Sequence, residues 1–142
     1  MEKFKLDNFK TLYHRNMPIV KNLSLHDSEE LTTKLFNNLH IKKEDYFLCE
    51  ENLGFVKIEH LNAEINEINW NKIFQVIGLP IPHEVYINDH KFEHLDVMLF
   101  SNFSKYFTDI WYPSADDIEI FNTSLNYIVA IRHYGALYYK KA

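Results

Sequence analysis

The five residues Tyr127 to Ile131, YIVAI, constrain this chain most, because all are apolar and four are β-branched or aromatic. Such a run fits a strand with neighbours on both edges and cover on both faces. The sequence on either side continues the pattern. Asp117 to Phe121 alternates, which puts Ile118 and Ile120 on one face of a pleated strand and Asp117, Glu119 and Phe121 on the other. Asn122 to Asn126 reads as a loop. Gly135, which takes positive φ without a steric clash, closes the next turn before Ala136 to Tyr139. The expectation is a three-stranded antiparallel meander with YIVAI in its middle.

The rest of the chain supplies elements to pack on that meander. Phe9, Leu12 and Tyr13 recur at helical spacing ahead of Pro18. Ser24 with Asp27, or Asp27 with Glu30, can cap a second helix whose apolar stripe is Leu31, Leu35, Phe36 and Leu39. Tyr46 to Cys49 and Phe55 to His60 read as a β-hairpin, with Cys49 as a buried strand thiol. Trp70, Ile73, Phe74 and Ile77 form a third helical stripe, ended by Gly78 and Pro80. A strand is expected at Glu84 to Ile87. From Asp89 or His90 onward, Phe92, Leu95, Leu99, Phe103, Tyr106 and Ile110 fall on one stripe of a long fourth helix, which Pro113 ends. The predicted fold is α+β, a single domain over residues 1–142. Its sheet is mainly antiparallel, with the C-terminal meander packed against about four helices.

Composition removes several function classes. No apolar run approaches the roughly eighteen residues of a membrane span, and MEKFKLDNFK lacks the apolar stretch of a signal peptide. A cytoplasmic protein with no membrane partner is expected. One cysteine allows no internal disulfide. The net charge of −5 conceals an uneven distribution: residues 1–43 carry eight basic and five acidic side chains, 44–126 four and fifteen, and 127–142 three and none. An acidic middle disfavours direct binding to nucleic acid, which recruits clustered Lys and Arg, and it would attract a basic protein.

Motifs for chemistry are sparse. His90-x-x-Glu93-His94 places two imidazoles at i and i+4 of the expected fourth helix, where they could share a zinc ion while Glu93 polarises a bound water. The alternative is an exposed first turn with Phe92 and Leu95 buried beneath it. The carboxylate pairs Glu50-Glu51 and Asp116-Asp117 are neighbours in sequence, which point apart on a strand and make no acid/base couple by themselves. With three glycines in the chain there is little material for a backbone phosphate cradle, and no nucleophile elbow or Walker motif occurs. The sequence singles out no catalytic residue, cofactor or metal.

One combination stands above this background: Trp111, Tyr112, Asp116, Asp117 and Glu119 around the stiff turn at Pro113. Aromatics with polar ends beside carboxylates bind the Arg and Lys side chains of a protein partner well. The structural account of the same residues is that Trp111 completes a helix stripe, Pro113 fixes the turn and Asp116 or Ser114 makes turn hydrogen bonds.

Trp111 to Phe121, WYPSADDIEIF, followed by Asn126 to Gly135, NYIVAIRHYG, resembles the C-terminal strands of small bacterial immunity proteins of polymorphic toxin systems, contact-dependent growth inhibition among them. The resemblance implies a non-enzymatic, cytoplasmic protein that binds a cognate toxin domain, such as a nuclease, and neutralises it. On that reading the toxin would be covered by acidic and aromatic side chains, with Trp111, Tyr112, Asp116, Asp117 and Glu119 as the expected partner-binding residues and Asp109, Glu50 and Glu51 as secondary candidates. Two other readings stand beside it: a small zinc-dependent hydrolase using His90, Glu93 and His94, and a structural assembly subunit.

Overall fold

The computed structural model describes residues 1–46 and 53–142. In order, the chain forms α1 (Lys3–Tyr13), β1 (Lys21–Asn22), α2 (Leu25–Asn38), a single 3-10 turn (Lys43–Asp45), β2 (Val56–Asn62) and α3 (Trp70–Ile77). It continues with β3 (Glu84–Asn88), β4 (Asp96–Leu99), α4 (Phe100–Lys105), α5 (Phe107–Ile110), β5 (Ile118–Asn122), β6 (Tyr127–Ile131) and β7 (Ala136–Lys141). All seven strands join one antiparallel sheet in the order β1-β4-β3-β5-β6-β7-β2. The fold is α+β, and the C-terminal meander is present as β5, β6 and β7.

Alternation along β6 explains why the sheet is covered on both sides. Tyr127, Val129 and Ile131 enter one core with Phe9 of α1, the Trp70, Ile73, Phe74 and Ile77 stripe of α3, and the phenylalanines of α4 and α5. Ile128 and Ala130 enter a second core with Leu35 and Phe36 of α2, Tyr46, Phe55 and Phe92. All five residues of β6 are buried, as a strand between two covered faces requires.

Local signals set the helix ends. The Ser24 hydroxyl accepts from the Asp27 amide at 3.1 Å, so the first of the two caps considered for α2 is the one used. Asn69 caps α3 in the same way, and Gly78 ends it at φ 74°. At Gly135, φ is 91° and an added Cβ would lie 2.0 Å from Asn62 Oδ1. Only glycine fits that turn, which carries the chain from β6 to β7 beneath the Asn62 side chain.

Two expectations are corrected. The fourth helix does not begin at His90: Lys91 and Phe92 adopt positive φ, and residues 96–99 form β4 between β3 and β1 before a shorter helical segment starts at Phe100. β2 pairs with β7, and the strand expected at Tyr46 to Cys49 begins where the 3-10 turn ends. The rest of that expected strand, Cys49 included, and the carboxylates Glu50 and Glu51 lie outside the described residues. On α1 the buried positions are Lys5 and Phe9, while Leu12 is 63% exposed. Among the described residues no helix is long and apolar enough to cross a membrane.

Candidate functional site

The antiparallel register brings the end of β3, the start of β5 and the end of β6 to one edge of the fold: Asn88 stands opposite Glu119, and Ile118 opposite Ile131. A cavity of about 430 Å³ opens there, lined among others by Tyr46, Asn88, Asp89, Asp116, Asp117, Glu119, Arg132, His133 and Tyr134.

Its floor is a buried polar network centred on Glu119, which is 2% exposed. Glu119 Oε1 accepts from the Tyr46 hydroxyl and from the Arg132 guanidinium, both at 3.0 Å, while Oε2 accepts from Asn88 Nδ2 at 2.7 Å. Arg132 also donates to the Tyr46 hydroxyl at 3.1 Å. Burial pushes the Glu119 carboxyl above the usual carboxylate range, against the opposing pull of Arg132 and the hydrogen bonds it accepts. Burial likewise raises the Tyr46 hydroxyl, and the nearby Glu119 charge adds to that. Burial alone would weaken the Arg132 proton, yet Tyr46 and Glu119 more than offset it and the group is held more firmly charged. Within this network a carboxylate and a guanidinium offset each other's burial.

One wall holds a second buried ion cluster. Lys5 of α1 is fully buried and pairs through Nζ with Asp89 Oδ1 and, at 2.9 Å, with Asp116 Oδ2. Asp89 Oδ2 accepts from the Glu2 amide at 2.8 Å, and Asp116 Oδ2 from the Tyr112 amide at 2.7 Å. The Trp111 indole donates to the Asp116 carbonyl at 3.0 Å. Glu2, Asp89 and Asp116 are close enough to hold a metal ion between them, but the Lys5 ammonium is already bound to two of the three.

At the mouth the side chains are accessible. Asp117 Oδ1 accepts from the His133 backbone amide at 2.7 Å and lies 3.0 Å from His133 Nδ1. Both side chains are about half exposed, at 48% and 52%. Tyr134 is exposed beside them. Glu64, from the loop after β2, accepts from the Ser114 hydroxyl at 3.3 Å.

The partner-binding residues expected from sequence therefore divide. Trp111, Asp116 and Glu119 are buried and serve the internal networks, so the surface first expected of all five residues is smaller than that. Asp117 and part of Tyr112 face solvent; the Tyr112 hydroxyl accepts from Asn8 at 3.1 Å. Asp109 is half-buried and accepts from the Tyr13 hydroxyl at 2.8 Å, which ties α5 to α1 and raises the Tyr13 pKa through that hydrogen bond. Sequence reasoning missed Lys5, Tyr46, Asn88, Asp89 and Arg132. Arg132 was accessible in principle, since Glu119 stands opposite Ala130 and Arg132, two residues further, shares that face.

The His90, Glu93, His94 motif is dismantled by its backbone. It lies on a turn in which Asn88 Oδ1 accepts from the Phe92 amide at 2.7 Å, and His94 Nδ1 sits 3.1 Å from the Leu23 carbonyl. Among the described residues the groups able to hold a metal are His26, Asp27 and Glu30 on α2 and the Glu2 cluster, and neither contains these histidines. Comparison with family models, curated proteins and solved structures gives no match.

Proposed function

We propose that this protein is a non-enzymatic inhibitor of the immunity type, which binds a basic toxin domain through the acidic and aromatic rim around Asp117. One observation carries the reading. The carboxylates of the two buried networks are matched by the chain's own cations, Glu119 by Arg132 and Asp89 with Asp116 by Lys5, while Asp117 stays about half exposed at the cavity mouth, which Tyr134 also lines. The Asp117 carboxylate is thus available to a partner at the mouth of the cavity. Exposed carboxylates next to aromatic rings favour Arg-rich and Lys-rich surfaces and speed their approach.

The test is co-purification with the C-terminal domain encoded by the adjacent upstream gene, together with a growth assay in which both are expressed. Binding and rescued growth are expected, with association weakened by salt. The informative variant is Asp117→Lys, because reversing Asp116 would abandon the buried Lys5. Asp117→Lys should weaken binding by roughly fivefold to tenfold. Association indifferent to both salt and this variant would remove the rim from the mechanism, and absence of rescue would remove the inhibitory role.

A further inference from the structure

The cavity at this edge has a polarity. Five carboxylates belong to its lining, Glu2, Asp89, Asp116, Asp117 and Glu119, against Lys91 and Arg132. Counting Lys5, which sits behind Asp89 and Asp116, five negative charges face three positive ones. Counting histidines as uncharged, the formal balance of the described residues is −2. The recess therefore disfavours phosphate and other anions and favours a cation.

The hydrogen bonds show where that cation would be held. Glu119 has both oxygens engaged, and so has Asp89. Asp116 is 7% exposed, yet only its Oδ2 is engaged, by Lys5 and the Tyr112 amide. Among the described residues its Oδ1 has no partner. Asp117 uses Oδ1 for His133, and among the described residues its Oδ2 has none. Neighbours on a regular strand would point apart, but both residues precede β5 and line the same recess. Among the described residues, the recess thus presents two carboxylate oxygens without a hydrogen-bond partner, with Tyr134 in the same lining.

We propose that the cavity is a receptor for a guanidinium group, supplied by an arginine side chain on the surface of the partner; this rests on the reading of a basic protein partner. A guanidinium carries donors in a planar fork that two carboxylate oxygens can accept, is more weakly hydrated than an ammonium and packs against aromatic faces. A small divalent cation would need about six converging oxygens. Here the cluster closest to that arrangement already holds Lys5. The volume, about 430 Å³, lies within the range of roughly 300–1,000 Å³ found for small-molecule sites.

The probe is N-acetyl-arginine methylamide, titrated into the isolated protein and followed by the backbone amide resonances. Its control is the citrulline counterpart, which has the same shape and no charge. The arginine compound should shift Asp117, His133 and Tyr134 saturably while citrulline leaves them in place. Asp117→Asn, on an exposed side chain, should weaken the arginine response about threefold to tenfold with an unchanged melting temperature. Equal responses to the two compounds, unmoved rim resonances or an indifferent Asp117→Asn would each overturn the proposal. Agmatine binding more than a hundredfold tighter than the arginine amide would overturn the protein-borne source and point to a free guanidinium compound. No partner is present in this titration. A null result alongside rescued growth would remove the receptor and leave the inhibitory role, whereas arginine binding without rescue would do the reverse.

Discussion

Tyr46 and Tyr127 are both buried tyrosines whose hydroxyls meet opposite circumstances. Tyr46 donates to Glu119 and accepts from Arg132, so removing its oxygen takes one hydrogen bond from each of two buried charged groups. Tyr127 is 2% exposed and its hydroxyl has no partner among the described residues. Replacing an unsatisfied buried hydroxyl by hydrogen is neutral or stabilising, whereas breaking a satisfied pair exposes the desolvation cost of what remains. Tyr127→Phe is therefore expected to raise unfolding free energy by about 1 kcal/mol and Tyr46→Phe to lower it by about 2 kcal/mol, read from urea titrations at neutral pH. The alkaline limb supplies a second check. Burial raises the Tyr127 hydroxyl above its ordinary value of 10.0, so above that pH the unfolded chain loses a proton that the folded chain retains. Stability from this source is complete below about pH 10 and declines as pH climbs further. The advantage of Tyr127→Phe over wild type should widen above pH 10; an advantage that stays constant or shrinks there would refute the assignment.

At the scale of elements, α1 depends on a lysine. Fully buried lysines are rare unless paired, and Lys5 reaches through the first turn of α1 to Asp89 after β3 and Asp116 before β5. Phe9 packs edge-on against Tyr106, with ring centres 4.9 Å apart, and Tyr13 bonds to Asp109 one turn on. Lys5→Met would retain most of the packing and leave two buried carboxylates uncompensated, at about 3–5 kcal/mol. Adding Asp89→Asn should return part of the loss, and the α1 amides should be the first to lose hydrogen-exchange protection; a Lys5→Met protein as stable as wild type would refute the account. No local pattern announces this anchor, because a lysine in a helix at position 5 reads as solvated and its partners lie far along the chain. The legible elements were those whose signal is contained within themselves: the α3 stripe between Asn69 and Gly78, the Ser24 cap and the YIVAI strand. Residues 90–99 were misread because Phe92, Leu95 and Leu99 keep helical spacing by coincidence. The deciding facts, positive φ at Lys91 and Phe92 and the pairing of β4 with β3, are tertiary. The site was half legible for the same reason. Asp117 and Tyr112 carry their chemistry on the surface, whereas the neutralisation of Glu119 and Asp116 becomes visible only with the register of the sheet.

For the molecule as a whole, two cores share one sheet, and β6 contributes alternate residues to each. If the shared strand couples them, loss of packing on one face should be felt on the other. Both tryptophans, Trp70 and Trp111, belong to the core covered by α1, α3, α4 and α5, so their fluorescence reports that side alone. Phe36 lies in the opposite core, stacked on Tyr46 with ring centres 5.0 Å apart and packed edge-on against Phe92 at 5.4 Å. Phe36→Ala should cost about 3–5 kcal/mol without touching the environment of either tryptophan. In urea, tryptophan fluorescence and far-ultraviolet circular dichroism should both move to lower midpoint and remain coincident, as a single cooperative transition requires. A fluorescence midpoint left at its wild-type position while the dichroism midpoint falls would mean that the α2 face unfolds on its own. The rim at Asp117, where β3, β5 and β6 meet, would then stand on a sheet supported from one side, and a partner binding there would be expected to restore the lost cooperativity by stabilising the shared strands.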